Sequence, residues 1–342
     1  MELQNILITS YNDFGCLAHI PSGNQNKKPL LFRNSILQSE SEIPKCYNPA
    51  FVLKNPDYNI LYVCCESIES GHIVTLEYDQ HFQTNVLSVV ETGKSSCYLA
   101  LDSLQKNLIA ISYWDSVITV HPLREGIPQK QIFKFTHGGN IDRGLQDHLL
   151  NRQLNSHFHS VALYKQFLLI PDLGLDVIHF FLYQPDSEKI ITKAGTYSLP
   201  SGSGPRYLCL REKYLYVVNE LSSTVMVFKI IENHSKGIYL ENVQTILTLP
   251  TDYQGRNTCG NICVHPKLPY LAVSNRGHDS ITIYRIHQNE LQFHNNISTL
   301  GKTPRHFSFD HTGKFLMAAN QDSDSVVIFN FHEGEVSVNQ QI

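Results

Sequence analysis

The chain has 342 residues, 42% hydrophobic and only 17% charged, with a formal net charge of −4. That balance is typical of strand-rich proteins and gives no electrostatic reason to expect nucleic acid or an anionic membrane as partner. No apolar run approaches a membrane span, and the opening MELQNILITSYNDF lacks the basic start and apolar core of a secretory signal, so a cytoplasmic location is expected.

In chain order, Ile6 to Thr9 and Cys16 to Ile20 read as the second and third strands of a unit without its first, with Leu30 to Ile36 as its fourth. Six fuller units follow: Pro49 to Asp79, Ser96 to Leu123, Phe158 to Tyr183, Gly204 to Ile230, Gly260 to Ile286 and Thr303 to Asn330. The last is the clearest. Arg305 to Phe309 alternates, Asp310 to Lys314 turns, Phe315 to Ala319 is apolar, Asn320 to Asp324 is polar, and Ser325 to Asn330 is a third run. Such β-rich runs between Gly, Asp, Asn and Ser clusters mark an antiparallel meander. Aligning the units on Ala50, Cys97, His159, Arg206, Asn261 and Arg305 gives steps of 47, 62, 47, 55 and 44 residues. A self-similar unit of about 40 to 50 residues with four strands predicts a β-propeller. The expectation is an all-β, seven-bladed β-propeller forming a single domain over residues 1–342, its first blade incomplete. The chain stops just after a fourth-strand candidate, Glu335 to Asn339, so no spare strand is visible to complete that blade.

The step of 62 residues marks an insertion, Thr136 to Ser156, that includes the pair Arg152-Gln153. Long loops on a rigid β scaffold are common places for binding chemistry, though a solvated excursion is the plainer reading. The eight cysteines are scattered, mostly in strand-like runs, and read as reduced core thiols.

In an antiparallel pair, the start of the first strand and the end of the second lie at the same edge. Leading positions therefore converge with trailing ones: His157, His159, Arg206, Asn261 and Arg305 with Glu66, Asp115, Asp172, Glu220, Asn275, Arg276, Asn320 and Gln321. Guanidinium groups, carboxylates and imidazoles gathered at one edge suit a small anionic molecule: arginine forks grip its oxygens, and a carboxylate or histidine moves protons. The plainer readings stand beside this. The asparagines suit backbone capping, His159 suits a satisfied core position, and Arg206 or Arg305 suits a strut. Glu220 and Arg276 are harder to dismiss, because an unpaired charge at the inner end of an apolar run is costly. The histidines lack compact metal-ligand spacing, so no metal or other cofactor is expected.

Five stretches, RQ…HFHS (Arg152 to Ser160), PDLGLD (Pro171 to Asp176), GPR…YVVNELSSTV (Gly204 to Val225), SNRGHDSI (Ser274 to Ile281) and PRHFSFDHTGKFLMAANQDSDSV (Pro304 to Val326), carry a resemblance. Together, in this order, they resemble the seven-bladed propeller lactonases of the bacterial 6-phosphogluconolactonase type, a family that includes the fungal carboxymuconate cyclases. The resemblance implies a catalytic set of His159, Arg206, Glu220 and Arg276. Arg152, His157, Asp172, Asp176, His278 and Arg305 would line or support it. Ser112-Tyr113-Trp114-Asp115 departs from the family's Asn-Tyr-Gly pattern, which bears on substrate identity.

The residue chemistry suits lactone hydrolysis. Arg206 or Arg276 would hold the tetrahedral oxyanion, and Glu220 or His159 would take the proton of the attacking water. The resemblance implies hydrolysis of 6-phosphogluconolactone in the pentose phosphate route. A muconate-type lactonising enzyme, or a lactonase for another acid, is an alternative. A non-catalytic propeller that binds a partner protein is another, since fold alone never fixes function.

Overall fold

In a computed structural model of the chain, residues 48–80, 84–137, 152–233 and 237–342 are described in full, and residues 6–10, 16–20 and 30–33 by their backbone. Of the expected insertion, residues 138–151 lie outside the described residues.

Strands dominate. The first sheet has three, in the order β1 (Ile6–Ser10), β2 (Cys16–Ile20) and β3 (Leu30–Arg33). The second comprises β4 (Pro49–Lys54), β5 (Ile60–Glu66), β6 (Gly71–Tyr78) and β7 (Thr84–Glu91). The third comprises β8 (Ser96–Leu101), β9 (Asn107–Ser112) and β10 (Val117–Arg124), with β11 (Ile127–Pro128) and β12 (Phe133–Thr136) both paired to β10. β13 (Ala162–Tyr164), β14 (Phe167–Asp172), β15 (Val177–Tyr183) and β16 (Ile191–Ser198) form the fourth. β17 (Pro205–Arg211), β18 (Tyr214–Asn219), β19 (Thr224–Asn233) and β20 (Gly237–Leu247) form the fifth. The sixth holds β21 (Thr258–Val264), β22 (Tyr270–Arg276), β23 (Ser280–His287) and β24 (Glu290–Ser298). The seventh holds β25 (Pro304–Phe309), β26 (Phe315–Asn320), β27 (Ser325–His332) and β28 (Glu335–Gln341).

Burial explains the sequence pattern. The second strands β9 and β14 are buried along their whole length, and β5 all but its last residue, so they read as unbroken apolar runs. Fourth strands such as β7 and β20 alternate between exposed and half-buried residues, the signature of an outer strand with one wet face. Neighbouring sheets bury these central strands against each other. Ile60, Tyr62 and Cys64 meet Leu99, Leu108 and Ala110, and Ala272, Ile281 and Ile283 meet Phe307, Ala318 and Val327.

β28 is the fourth-strand candidate at the chain end. Ile342 exchanges both backbone hydrogen bonds with Val326, so the last residues complete their own sheet. Among the described residues Cys65 departs from the expected reduced thiols, being disulfide-bonded, while Cys64, Cys97, Cys209, Cys259 and Cys263 carry no disulfide. The chain falls into two compact units. One comprises Met1–Arg143, Leu154–Phe167 and Leu182–Thr192, and the other Gly144–Gln153, Leu168–Phe181 and Lys193–Ile342.

Candidate active site

In the second unit the site begins with two β-bulges. Pairing of β17 with β18 passes from Pro205–Asn219 to Tyr207–Val218, which leaves Arg206 opposite no residue. Pairing of β25 with β26 passes likewise from Pro304–Asn320 to His306–Ala319, stepping over Arg305. A bulge bends its strand and re-aims the side chain it carries. The preceding proline suits such a place, because it has no N–H to give to a ladder.

The re-aimed Arg206, only 3% exposed, reaches Glu220 just beyond the end of β18, Nη1 to Oε2 at 2.5 Å. Arg276, the last residue of β22, forms an ion pair with the same oxygen at 2.9 Å. Arg152 donates to the other oxygen, Oε1, at 2.5 Å. Backbone bonds hold the centre still. The Glu220 N–H donates to the Gly204 carbonyl, and the Glu220 carbonyl accepts from the Cys259 N–H. Arg276 Nη2 also donates to the Cys259 carbonyl at 2.8 Å.

One buried carboxylate thus faces three guanidinium groups. Burial pulls the Arg276 guanidinium down to about 10; Glu220 opposes that pull, and Arg206 and Arg305 add to it. Arg276 therefore stays cationic at neutral pH. Its Nε–H is buried and has no hydrogen-bond acceptor among the described residues. A surplus of positive charge with a spare buried donor can receive an anion.

The first unit holds the two histidines. His157 stacks on Tyr113, with ring centroids 4.4 Å apart and planes 6° from parallel. Its Nδ1 lies 3.2 Å from the Tyr113 carbonyl, an arrangement that makes Nδ1–H the donor. His159 meets the Tyr113 ring edge-on, and Trp114 meets His157 the same way. Both histidines are buried, whereas Trp114 is 49% exposed. Tyr113 and Trp114, marked in the sequence only as a departure from the family pattern, thus form the surroundings of these histidines.

Other expected site residues are committed to the fold. Asp172 accepts the Leu175 N–H and pairs with His179. Asp176 accepts from Gln153, Gly202 and Gly204. His278 bonds Ser280 and lies edge-on to Tyr253. Asn275 and Asn320 donate to the carbonyls of Thr248 and Thr299 at the ends of the preceding sheets, as the capping reading holds. One residue was missed. His306 follows the bulged Arg305 and takes the register place that Tyr207 holds in β17. Desolvation, with Arg206 adding, lowers the pKa of its imidazole to about 4. The imidazole is therefore neutral at pH 7. Repeat register was the signal that could have found it.

A family model described as lactonase, 7-bladed beta-propeller, matches residues 30–341. The chain belongs to the seven-bladed β-propeller lactonases. A relative named 6-phosphogluconolactonase from Bacillus subtilis is 27% identical over 80% of this chain and 78% of its own. Another of that name, from Formosa agariphila, is 29% identical over 82% of this chain and 80% of its own. Among solved structures, the periplasmic gluconolactonase of Pseudomonas aeruginosa superposes with a TM-score of 0.83 at 24% identity, covering 99% of this chain and 95% of that one. A likeness at that identity speaks for the fold alone. In this propeller lactonase the three-stranded first sheet and the six fuller sheets are the blades, and membership implies a lactone as substrate.

Proposed function

We propose that this lactonase hydrolyses an anionic sugar lactone, with 6-phosphogluconolactone as its first candidate, to the open-chain acid. One observation carries the reading: Glu220 is shared by three guanidinium groups, which leaves positive charge for a substrate phosphate or carboxylate and for the developing oxyanion.

The chemistry balances without further reagents. Water attacks the ring carbonyl, its proton passes to a base, and the carbonyl oxygen becomes an oxyanion. The ring C–O bond then breaks, and the leaving alkoxide takes the proton back. Both oxygens of Glu220 are already accepting from arginines, so the carboxylate serves to orient them rather than to collect a proton. That assigns the proton to an imidazole, and the family resemblance nominates His159. Arg206 and Arg276, fixed before substrate arrives, stabilise the oxyanion at no reorganisation cost.

The test is hydrolysis of phosphorylated and unphosphorylated gluconolactone, measured above the spontaneous rate. The proposal expects acceleration of both and a higher kcat/KM for the phosphorylated ring. Preference for an unphosphorylated acid lactone would shift the assignment to the alternative substrates. No acceleration of any lactone would leave the non-catalytic reading.

A further inference from the structure

Asp176 and Gln153 bind no substrate in the chemistry above, yet both are buried, at 1% and 0% exposure. Asp176 stands in the turn between β14 and β15 with φ of 53°, a left-handed conformation that aspartate tolerates better than most residues. Its Oδ1 accepts from Gln153 Nε2 at 2.8 Å and from the Gly204 N–H at 2.7 Å. Its Oδ2 accepts from the Gly202 N–H at 2.9 Å. Gln153 Nε2 also donates to the Leu173 carbonyl at 2.9 Å. Both neighbours of the Gln153 amide nitrogen are acceptors, so the amide has only one workable orientation. That orientation leaves Gln153 Oε1 buried with no partner among the described residues.

Two chain segments end on this carboxylate. One is Gln153, whose preceding residue is Arg152. The other is the loop before β17, where Gly202 and Gly204 take φ of +81° and +60°. A Cβ at Gly204 would lie 2.5 Å from Leu221 Cγ. Gly204 passes the constraint on, because its carbonyl receives the Glu220 N–H and Arg206 lies two residues beyond it.

We infer that Gln153 and Asp176 are positioning residues that hold Arg152 and Arg206 in register on Glu220. The inference rests on the proposal that this cluster receives the lactone. Of the three guanidinium groups on Glu220, that of Arg152 is the most exposed, at 38% against 3% and 11% for Arg206 and Arg276.

The test is a double-mutant cycle on the full chain with Gln153→Met and Arg152→Ala, reading kcat/KM for 6-phosphogluconolactone. Misplacing a group by about 1 Å costs up to ~10²-fold, so Gln153→Met should lower kcat/KM between about tenfold and that limit. It should cost nothing further once Arg152 is already alanine, because it acts through Arg152. Multiplying effects, or an unchanged rate in Gln153→Met, would overturn the inference. If Gln153→Met does not fold, Asp176→Asn keeps the shape and is read instead by amide exchange at Gly202, Gly204 and Glu220. Faster exchange at those three against an unchanged global melt supports the clamp, and unchanged exchange sinks it. Should the wild-type protein accelerate no lactone, the proposed function fails, while the exchange readout still judges the clamp.

Discussion

Glu220 balances three guanidinium groups with a single charge, and that ratio sets what its removal does. Glu220→Gln keeps the volume but leaves Arg206 and Arg276, at 3% and 11% exposure, without their carboxylate. Breaking a buried pair by removing one partner costs about 3 kcal/mol or more. The variant should therefore melt lower and lose roughly 10²-fold in kcat as the arginines lose register. An unchanged melting temperature would show that solvent or another group neutralises the cluster. Arg276→Lys tests the fork. Arg276 Nη2 alone meets both the Glu220 carboxylate and the Cys259 carbonyl, and a lysine ammonium keeps that charge but lacks the other guanidinium donors, the buried Nε–H among them. A fall of about tenfold or more in kcat/KM is expected, and wild-type kinetics would reduce Arg276 to a strut. These partners were legible only in part. Polar residues at strand ends could be counted from the sequence, and so could the arginines after Pro205 and Pro304. The bulges that turn Arg206 and step over Arg305 are hinted at only by the proline before each, and residue type does not say which way the side chain is aimed. Nor does anything in the sequence say that Asp172 serves its own turn.

Between elements, one histidine joins the sixth and seventh sheets. His265, just after β21, donates from Nε2 to the Gly313 carbonyl at 2.8 Å, in the turn between β25 and β26. Its Nδ1 accepts the N–H groups of Lys267 and Leu268. That pattern requires a neutral ring, because a protonated Nδ1 cannot accept. Burial lowers its pKa and outweighs the opposing pull of the Gly313 bond and Asp310, with Lys267 adding to the lowering. The unfolded chain thus binds more protons than the folded one below the ordinary histidine value. Stability from His265 is fully present above about 6.5 and is lost as pH falls from there toward the lowered folded value. His72, His121 and His306 are lowered too and act in the same direction. Melting temperature should fall between pH 7.5 and pH 5, and His265→Gln should flatten that slope; a slope unchanged in the variant would assign it to other groups. The strands themselves were the legible part. β26 is a short apolar run between turn residues, and the sequence places it, as Phe315 to Ala319, within a residue. The pairing of the two-residue β11 with the same strand as β12 was hidden, since that run is too short to show a period.

At the scale of the whole molecule, we propose that the chain unfolds as one domain despite its two compact units. The backbone passes between the units after Arg143, Gln153, Phe167, Phe181 and Thr192, so neither is a continuous piece of chain. Individual strands carry residues of both: Phe167 belongs to one unit, while the rest of β14 belongs to the other. A strand cannot leave its ladder halfway without stranding buried N–H and C=O groups, each costing about 1–3 kcal/mol. Two independent transitions would part Phe167, the first residue of β14, from the rest of that strand, which is buried along its whole length. A single endotherm is therefore expected in calorimetry, with calorimetric and van't Hoff enthalpies equal and with fluorescence of Trp114, the chain's one tryptophan, melting together with far-UV circular dichroism. The tryptophan reports one unit and circular dichroism reports both, so the pair of probes separates the cases. Trp114 emission that changes at a lower or higher temperature than the β signal would show that the units melt apart, and the chain would then count as two domains.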